Sequence, residues 1–144
     1  MDDSIVVGTD GSETAKQAVT ETVRLATALG AQVHVVSAYE PLRARVTGAP
    51  EGAAQVWQPL PDDKVESILD QAAAGIRLAG LEVTPHAVRK DPADALIQVA
   101  NEVNATMIVV GSKGMHGARR LALGNVPNKV SHQARCNVLI VATD

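Results

Sequence analysis

At 144 residues and 15.0 kDa, with 46% hydrophobic and 20% charged residues, the chain has the size and balance of one globular domain with a real core. Its only aromatics are Tyr39 and Trp57, which argues against the stacking platforms that hold single-stranded nucleic acid, and the net charge of −3 argues against a general hold on DNA or RNA. No apolar run approaches the roughly 20 residues of a membrane span, the acidic start MDDSIVVG does not read as a signal peptide, and the single Cys136 forms no internal disulfide, so a cytoplasmic setting is expected.

SIVVGT (residues 4–9) is a short β-branched run ended by Asp10-Gly11, which reads as a buried strand. Ser12 opens a helix whose apolar residues recur from Ala15 to Leu29, with Gly30 as its stop. A second strand follows from Gln32 to Ala38. Residues 40–62, with Pro41, Gly48, Pro50, Gly52, Pro59 and Pro61, read as a long loop. Asp62 or Asp63 caps the next helix, which runs to Gly80. LEVTPHAV is a third strand, and Pro85, which cannot donate to a ladder, pushes it to a sheet edge. Asp91-Pro92 starts a helix running to about Val103. TMIVV (106–110) is a fourth strand, buried on both faces. Residues 126–134 read as a last helix and NVLIVA as a fifth strand. Strands alternating with helices specify a single-domain, doubly wound parallel α/β sheet with right-handed crossovers.

Charge is placed unevenly. Residues 1–102 carry 8 Lys/Arg against 15 Asp/Glu, whereas residues 103–144 carry 5 Lys/Arg and only Asp144. Much of that basic excess falls in GSKGMHGARRLALGN (111–125), which holds Gly111, Gly114, Gly117 and Gly124 with Lys113, Arg119 and Arg120 and no acid. In an open parallel sheet ligands bind beyond the carboxyl ends of the strands, where this stretch and GTDGS both fall. Glycines allow close backbone approach to a ligand, and the amides at the start of the following helix favour a phosphate. A lid with glycines for turn geometry is the plainer alternative. Neither the P-loop pattern nor G-x-G-x-x-G is present.

The spacing that is present is Gly111-x2-Gly114-x9-Gly124-Asn125, directly after a strand and before a helix. With the opening VVGTDGS, the strand-end VVGSKG and the ending GNVPNKVSHQARCNVLIV, the chain resembles the universal stress proteins along essentially its whole length. The resemblance implies a Rossmann-like five-stranded sheet of order 3-2-1-4-5, of the adenine nucleotide alpha hydrolase type, usually dimeric and in many members binding ATP through G-x2-G-x9-G-[ST]. By position, Asp10 would meet the ribose or phosphates with Thr9 and Gly11 lining the same side, backbone near Ala38 the adenine, Gly111 and Gly114 the ribose and phosphates, and Gly124, Asn125 and Val126 phosphate oxygens; Lys113, with Arg119 and Arg120 in the same loop, would add charge. A turn residue bonding its own backbone is the alternative for Asp10. The family hydroxyl after the third glycine is here Asn125, and a second hydroxyl position is Pro127. Asn is a good N-cap and Pro suits N1, but Pro127 lacks an N–H, so one phosphate donor is lost and AMP or cyclic AMP competes with ATP as ligand.

His34 and His86 fall in strands and read as structural, His132 as surface, and His116 as a loop residue either solvated or touching phosphate; no pair has metal-ligand spacing. Cys136 reads as a small buried hydrophobe. No nucleophile elbow is present. The leading expectation is therefore an adenine-nucleotide-binding regulatory protein rather than an enzyme. The rivals are a slow Mg-dependent ATP hydrolase, with Asp10 helping to hold the metal, and a nucleotide-free scaffold for protein partners. The uncharged run Val138 to Ala142, placed at a sheet edge as in the family, implies a homodimer.

Overall fold

A computed structural model of the chain describes residues 3–39, 63–112 and 124–143. The expected loop 40–62 and Lys113, Gly114, His116, Gly117, Arg119 and Arg120 lie outside the described residues. The elements are β1 (Ser4–Gly8), α1 (Glu13–Leu29), β2 (Gln32–Ala38), α2 (Asp63–Leu78), β3 (Val83–Val88), α3 (Pro92–Val103), β4 (Met107–Gly111), α4 (Asn125–Gln133) and β5 (Asn137–Val141). The strands are all parallel and lie in the order β3-β2-β1-β4-β5.

The central strands β1 and β4 have no polar face. In β1, Ile5 and Val7 point to one side with Val33 and Val35 of β2 and Val109 of β4. Val6 points to the other with Val36, Ile108 and Val110. Side chains alternate across a pleat, so a strand apolar at every position needs cover on both sides. One side receives α1 and α2, the other α3 and α4. The aliphatic core forecast by the composition is what fills both layers, with Ile5, Val6, Val7, Val33, Val35, Ile76, Ile108 and Val109 fully buried.

Helix α1 buries Ala18, Thr22 and Ala26, a stripe at four-residue spacing whose small side chains let the helix approach the sheet closely. The buried Thr22 hydroxyl is satisfied within its own helix, donating to the Ala18 carbonyl at 2.8 Å. The ends carry the expected signals. Ser12 Oγ accepts the Ala15 N–H at 3.2 Å, and Gly30 closes α1 at φ 67°. Asp91 caps α3, followed by Pro92, and Asn104 ends it at φ 51°.

Strand β3 is an edge strand, and its backbone explains how Pro85 fits. The Glu82 carbonyl accepts the Val33 N–H at 3.0 Å, and the Val88 carbonyl accepts the Tyr39 N–H at 2.9 Å. Even-numbered residues from 82 to 88 thus turn their polar backbone toward β2, and Pro85 turns its donorless nitrogen to the open edge. At the other edge, Val141 accepts the Ser112 N–H at 2.8 Å. Odd-numbered residues of β5 therefore face β4, and Val138 and Ile140 offer their amides outward.

The two strand histidines, expected to be structural, are partners. His34 Nδ1 and His86 Nε2 lie 2.9 Å apart, joining β2 to the edge strand β3. His34 is only 8% exposed. Such a bond needs a lone pair on one ring, so it does not survive protonation of both. Burial, and for His34 the facing His86, lowers both pKa values; Glu102 on α3 partly opposes this at His86. A folded-state pKa below the ordinary value of 6.5 means the stabilising contribution is complete above that pH and is lost as pH falls through the lowered value. Thermal denaturation between pH 7.5 and 5 is expected to show a midpoint falling on the acid side of about 6.5. His86→Ala should cost about 1 kcal/mol at neutral pH and flatten that dependence, as the two melting series together will show.

Candidate functional site

Strand order reverses between β1 and β4: β1 leads through α1 to β2 on one side, and β4 lies on the other. The helices that follow β1 and β4 therefore lie on opposite faces of the sheet, and a cleft opens beyond the carboxyl ends of the two strands. Gly8, Val36, Ala38, Val110 and Gly111 form its floor. Thr9, Asp10, Ser12, Thr14 and Ala15 line the side of α1; Pro92, Leu96, Val126 and Pro127 line the side of α3 and α4. It measures about 670 Å³ with its open mouth included, and most of its surface is apolar.

Gly8 is where the floor meets α3. A Cβ there would stand 3.2 Å from both methyl carbons of Leu96, so the helix lies this close only because the position is glycine. Beyond it, the Thr9 N–H donates to the Val36 carbonyl at 2.9 Å, carrying the chain on over β2. Asp10 then turns it: Oδ1 accepts the Ser12 N–H at 2.9 Å. One carboxylate oxygen thus serves the turn, and the other has no protein partner among the described residues. Gly11 adopts φ 81°, and its N–H meets Thr9 Oγ1 at 3.2 Å.

On the far side, Ser112 gathers three segments. Its carbonyl accepts the Gly124 N–H at 3.2 Å, bringing the start of α4 back to the end of β4. Its Oγ accepts the Thr143 N–H at 3.0 Å and lies 3.1 Å from Thr143 Oγ1. The helix start differs from expectation by one residue. Gly124 is the N-cap (φ −61°, ψ 166°), Asn125 is the first helical residue, and Pro127 is third in the helix, fully buried. The cause is the Ser112 bond together with the Asn128 N–H donating to the Gly124 carbonyl at 3.1 Å, which fixes Gly124 in extended backbone just outside the helix. Within the first turn an N–H has no helical partner, so Pro127 breaks no helix bond and only subtracts a donor. The Gly124 amide is committed to Ser112. The amides of Asn125 and Val126 meet no acceptor among the described residues, and with the helix dipole they form a place for negative charge.

Of the residues singled out in the sequence, Thr9, Asp10, Ala38, Gly111 and Val126 stand together around the cleft, and Gly124 and Asn125 sit where α4 begins. Gly11 is adjacent but turned toward α2. Lys113 and Gly114 are outside the described residues. Sequence reasoning missed Leu96, Pro92 and Val36, whose signal is only that they fall at element ends or on the apolar face of α3, and it missed Ser112, whose signal is a hydroxyl between glycines at a strand end. Cys136 packs beside the α3 and α4 layer, and burial raises its thiol pKa. Among the described residues no three His, Cys, Asp or Glu side chains converge on a metal-sized point.

The fold and cleft define a doubly wound α/β protein that presents a helix start and an apolar floor at its switch point. The sequence pattern of the Universal stress protein family matches residues 1–142. A universal stress protein of Mycobacterium tuberculosis is 33% identical over 141 residues, spanning 97% of this chain and 96% of its own. A universal stress protein solved in complex with cAMP has a TM-score of 0.75 and 30% identity, covering 99% of this chain and 98% of that one. The universal stress protein from Archaeoglobus fulgidus in complex with dAMP has a TM-score of 0.68 and 25% identity, covering 96% of each. The chain belongs to the universal stress protein family.

The Gly11 geometry carries its own test. A left-handed residue other than glycine is strained, and a Cβ at Gly11 would stand 3.0 Å from Ile68 Cγ1. Gly11→Ala is expected to lower the stability measured by urea denaturation by about 1–3 kcal/mol.

Proposed function

We propose that this chain binds an adenine nucleotide in the cleft beyond β1 and β4, with the phosphate at the start of α4 and the base over the apolar floor near Val36 and Ala38. The observation that carries this reading is the pair of amides at Asn125 and Val126, without a protein acceptor among the described residues, at a helix start whose Val126 and Pro127 line the same cleft as Asp10 and Thr9. The cAMP and dAMP held by the two structural relatives support the choice of an adenylate. Gly111 and, beyond the described residues, Lys113 and Gly114 complete the phosphate side in this reading.

With Pro127 contributing no donor and the Gly124 amide already used, two main-chain donors remain where a fuller helix start offers more. A triphosphate therefore gains little over a monophosphate, and AMP or cyclic AMP is the preferred ligand over ATP. Asp10 has one carboxylate oxygen left for a ribose hydroxyl or a Mg²⁺ ion accompanying a polyphosphate. In this reading the protein binds its nucleotide rather than turning it over. The protein acts as a cytoplasmic homodimer. The outward amides of Val138 and Ile140 give β5 an open ladder, and its apolar side chains remain half-exposed, so a second copy is the natural cover.

Calorimetry with ATP, AMP and cyclic AMP is expected to show saturable binding of one equivalent per chain, with ATP no tighter than the other two. Asp10→Ala should weaken binding about tenfold, the loss of a hydrogen bond to a charged group. No heat at millimolar nucleotide sinks the reading. For the dimer, Ile140→Pro removes an edge-facing amide and leaves the β4 ladder its donors. Light scattering at micromolar concentration should show a dimer for the native chain and a monomer for the variant, with circular dichroism confirming that the variant is folded.

A further inference from the structure

The starts of α3 and α4 are joined by one lysine. Lys129 Nζ lies 3.0 Å from Asp94 Oδ1 and 3.5 Å from Asp91 Oδ2. Asp91 is also the α3 N-cap, taking the Asp94 N–H on Oδ2 at 3.4 Å. Contact with the Asp91 side chain, then the hydrogen bond from Lys129, holds the Asp94 carboxyl below the usual carboxylate range, and Asp94 raises the Lys129 ammonium. All three side chains are partly exposed, and the exposed Lys90 acts on Asp94 through space. As a stabilising ion pair this cluster is worth little. Its place is what matters. Lys129 sits one helical turn, about 6 Å along the axis, after Asn125. Asp91 immediately precedes Pro92, which lines the cleft beside Pro127.

A lysine one turn behind an anion-accepting helix start would ordinarily add its charge to the phosphate. Here it is held by two carboxylates instead. We infer that Lys129, Asp91 and Asp94 tune the nucleotide site by charge: Lys129, one turn behind the α4 start, favours phosphate, and the two carboxylates that hold it offset that charge and disfavour ligands in proportion to their phosphate charge. The ligand selected is thus a singly charged cyclic phosphate over a doubly charged monophosphate, and either over a triphosphate. This rests on the nucleotide reading above and assigns its specificity to side chains that touch no nucleotide.

Two unit charges roughly 8–10 Å apart in water change an equilibrium by about twofold. The effect of each variant should therefore grow with ligand charge. Titrations in EDTA at low salt, with cyclic AMP, AMP and ATP, make the test. Lys129→Met should weaken cyclic AMP about twofold, AMP about fourfold and ATP by more than about tenfold; Asp94→Asn should strengthen them in the same progression. Lys129→Arg should restore the native values. At about 0.5 M salt the progression should collapse, because the screening length falls to a few ångströms. A merely structural clamp would weaken all three ligands by one common factor. That result, or an unchanged cyclic AMP to ATP ratio in both variants with folding intact, overturns the charge inference and leaves nucleotide binding standing. Failure of the native chain to bind any of the three overturns the nucleotide reading, and this inference with it.

Discussion

Strands without a polar face are the constraint from which the architecture follows. Ile5, Val6 and Val7 in β1, and Val33, Val35 and Val36 in β2, cannot leave either side of the sheet in water. Helices must lie on both sides, and parallel strands with helical crossovers supply them. Once α1 and α2 occupy one layer and α3 and α4 the other, β1 and β4 are neighbours whose following helices lie on opposite faces. The cleft is a consequence of covering the sheet.

Small side chains then decide how deep that cleft is. Ala18, Thr22 and Ala26 let α1 settle closely onto β1 and β4, and Gly8 lets Leu96 press onto the floor. Larger groups at these places would lift the helices, and the helix starts that frame the site would rise with them. The absence of Phe and the near absence of other aromatics serve the same end. Branched aliphatic residues fill thin layers, and the floor they leave is apolar and, among the described residues, lined by no aromatic ring. Orientation of a ligand therefore falls to the polar rim.

Local signals carried most of the fold. The β-branched runs, the Ser12 and Asp91 caps, Gly30 and the Asp91-Pro92 step marked their elements within a residue or two, because each reports on backbone geometry a few positions away. Pro85 went further and marked a sheet edge, since its missing donor excludes a central place. The order of the strands came from the family resemblance; periodicity alone does not contain it. What stayed hidden depends on contacts distant in sequence. The helix cap lies at Gly124 rather than Asn125 because Ser112, twelve residues earlier, takes the Gly124 amide. His34 and His86 bond only because β2 and β3 align in one register. Gly11 faces Ile68 from a different helix, and Lys129 finds its carboxylates on α3. Half of the candidate site was legible as motif; its spacing and its electrostatic setting were not.

The two edges of the sheet are not equivalent, and the difference bears on how the family fold is used here. At β3 the outward backbone positions include Pro85, so that edge offers a broken ladder to any incoming strand, and the side chains of Thr84 and Pro85 stand exposed. At β5 no such interruption exists among Asn137 to Val141, and the outward amides belong to Val138 and Ile140, residues too apolar to prefer water. Pro85 costs the β2 ladder nothing, since its nitrogen faces away. The chain thus suppresses association at one edge without weakening the sheet and leaves it possible at the other. Ser112 lies next to that open edge, bonded to Val141 and Thr143 on one side and to Gly124 on the other. At Ser112 the end of β5 and the start of α4 share a support, beside the direct packing of Val138 and Ile140 in the same layer as Val130.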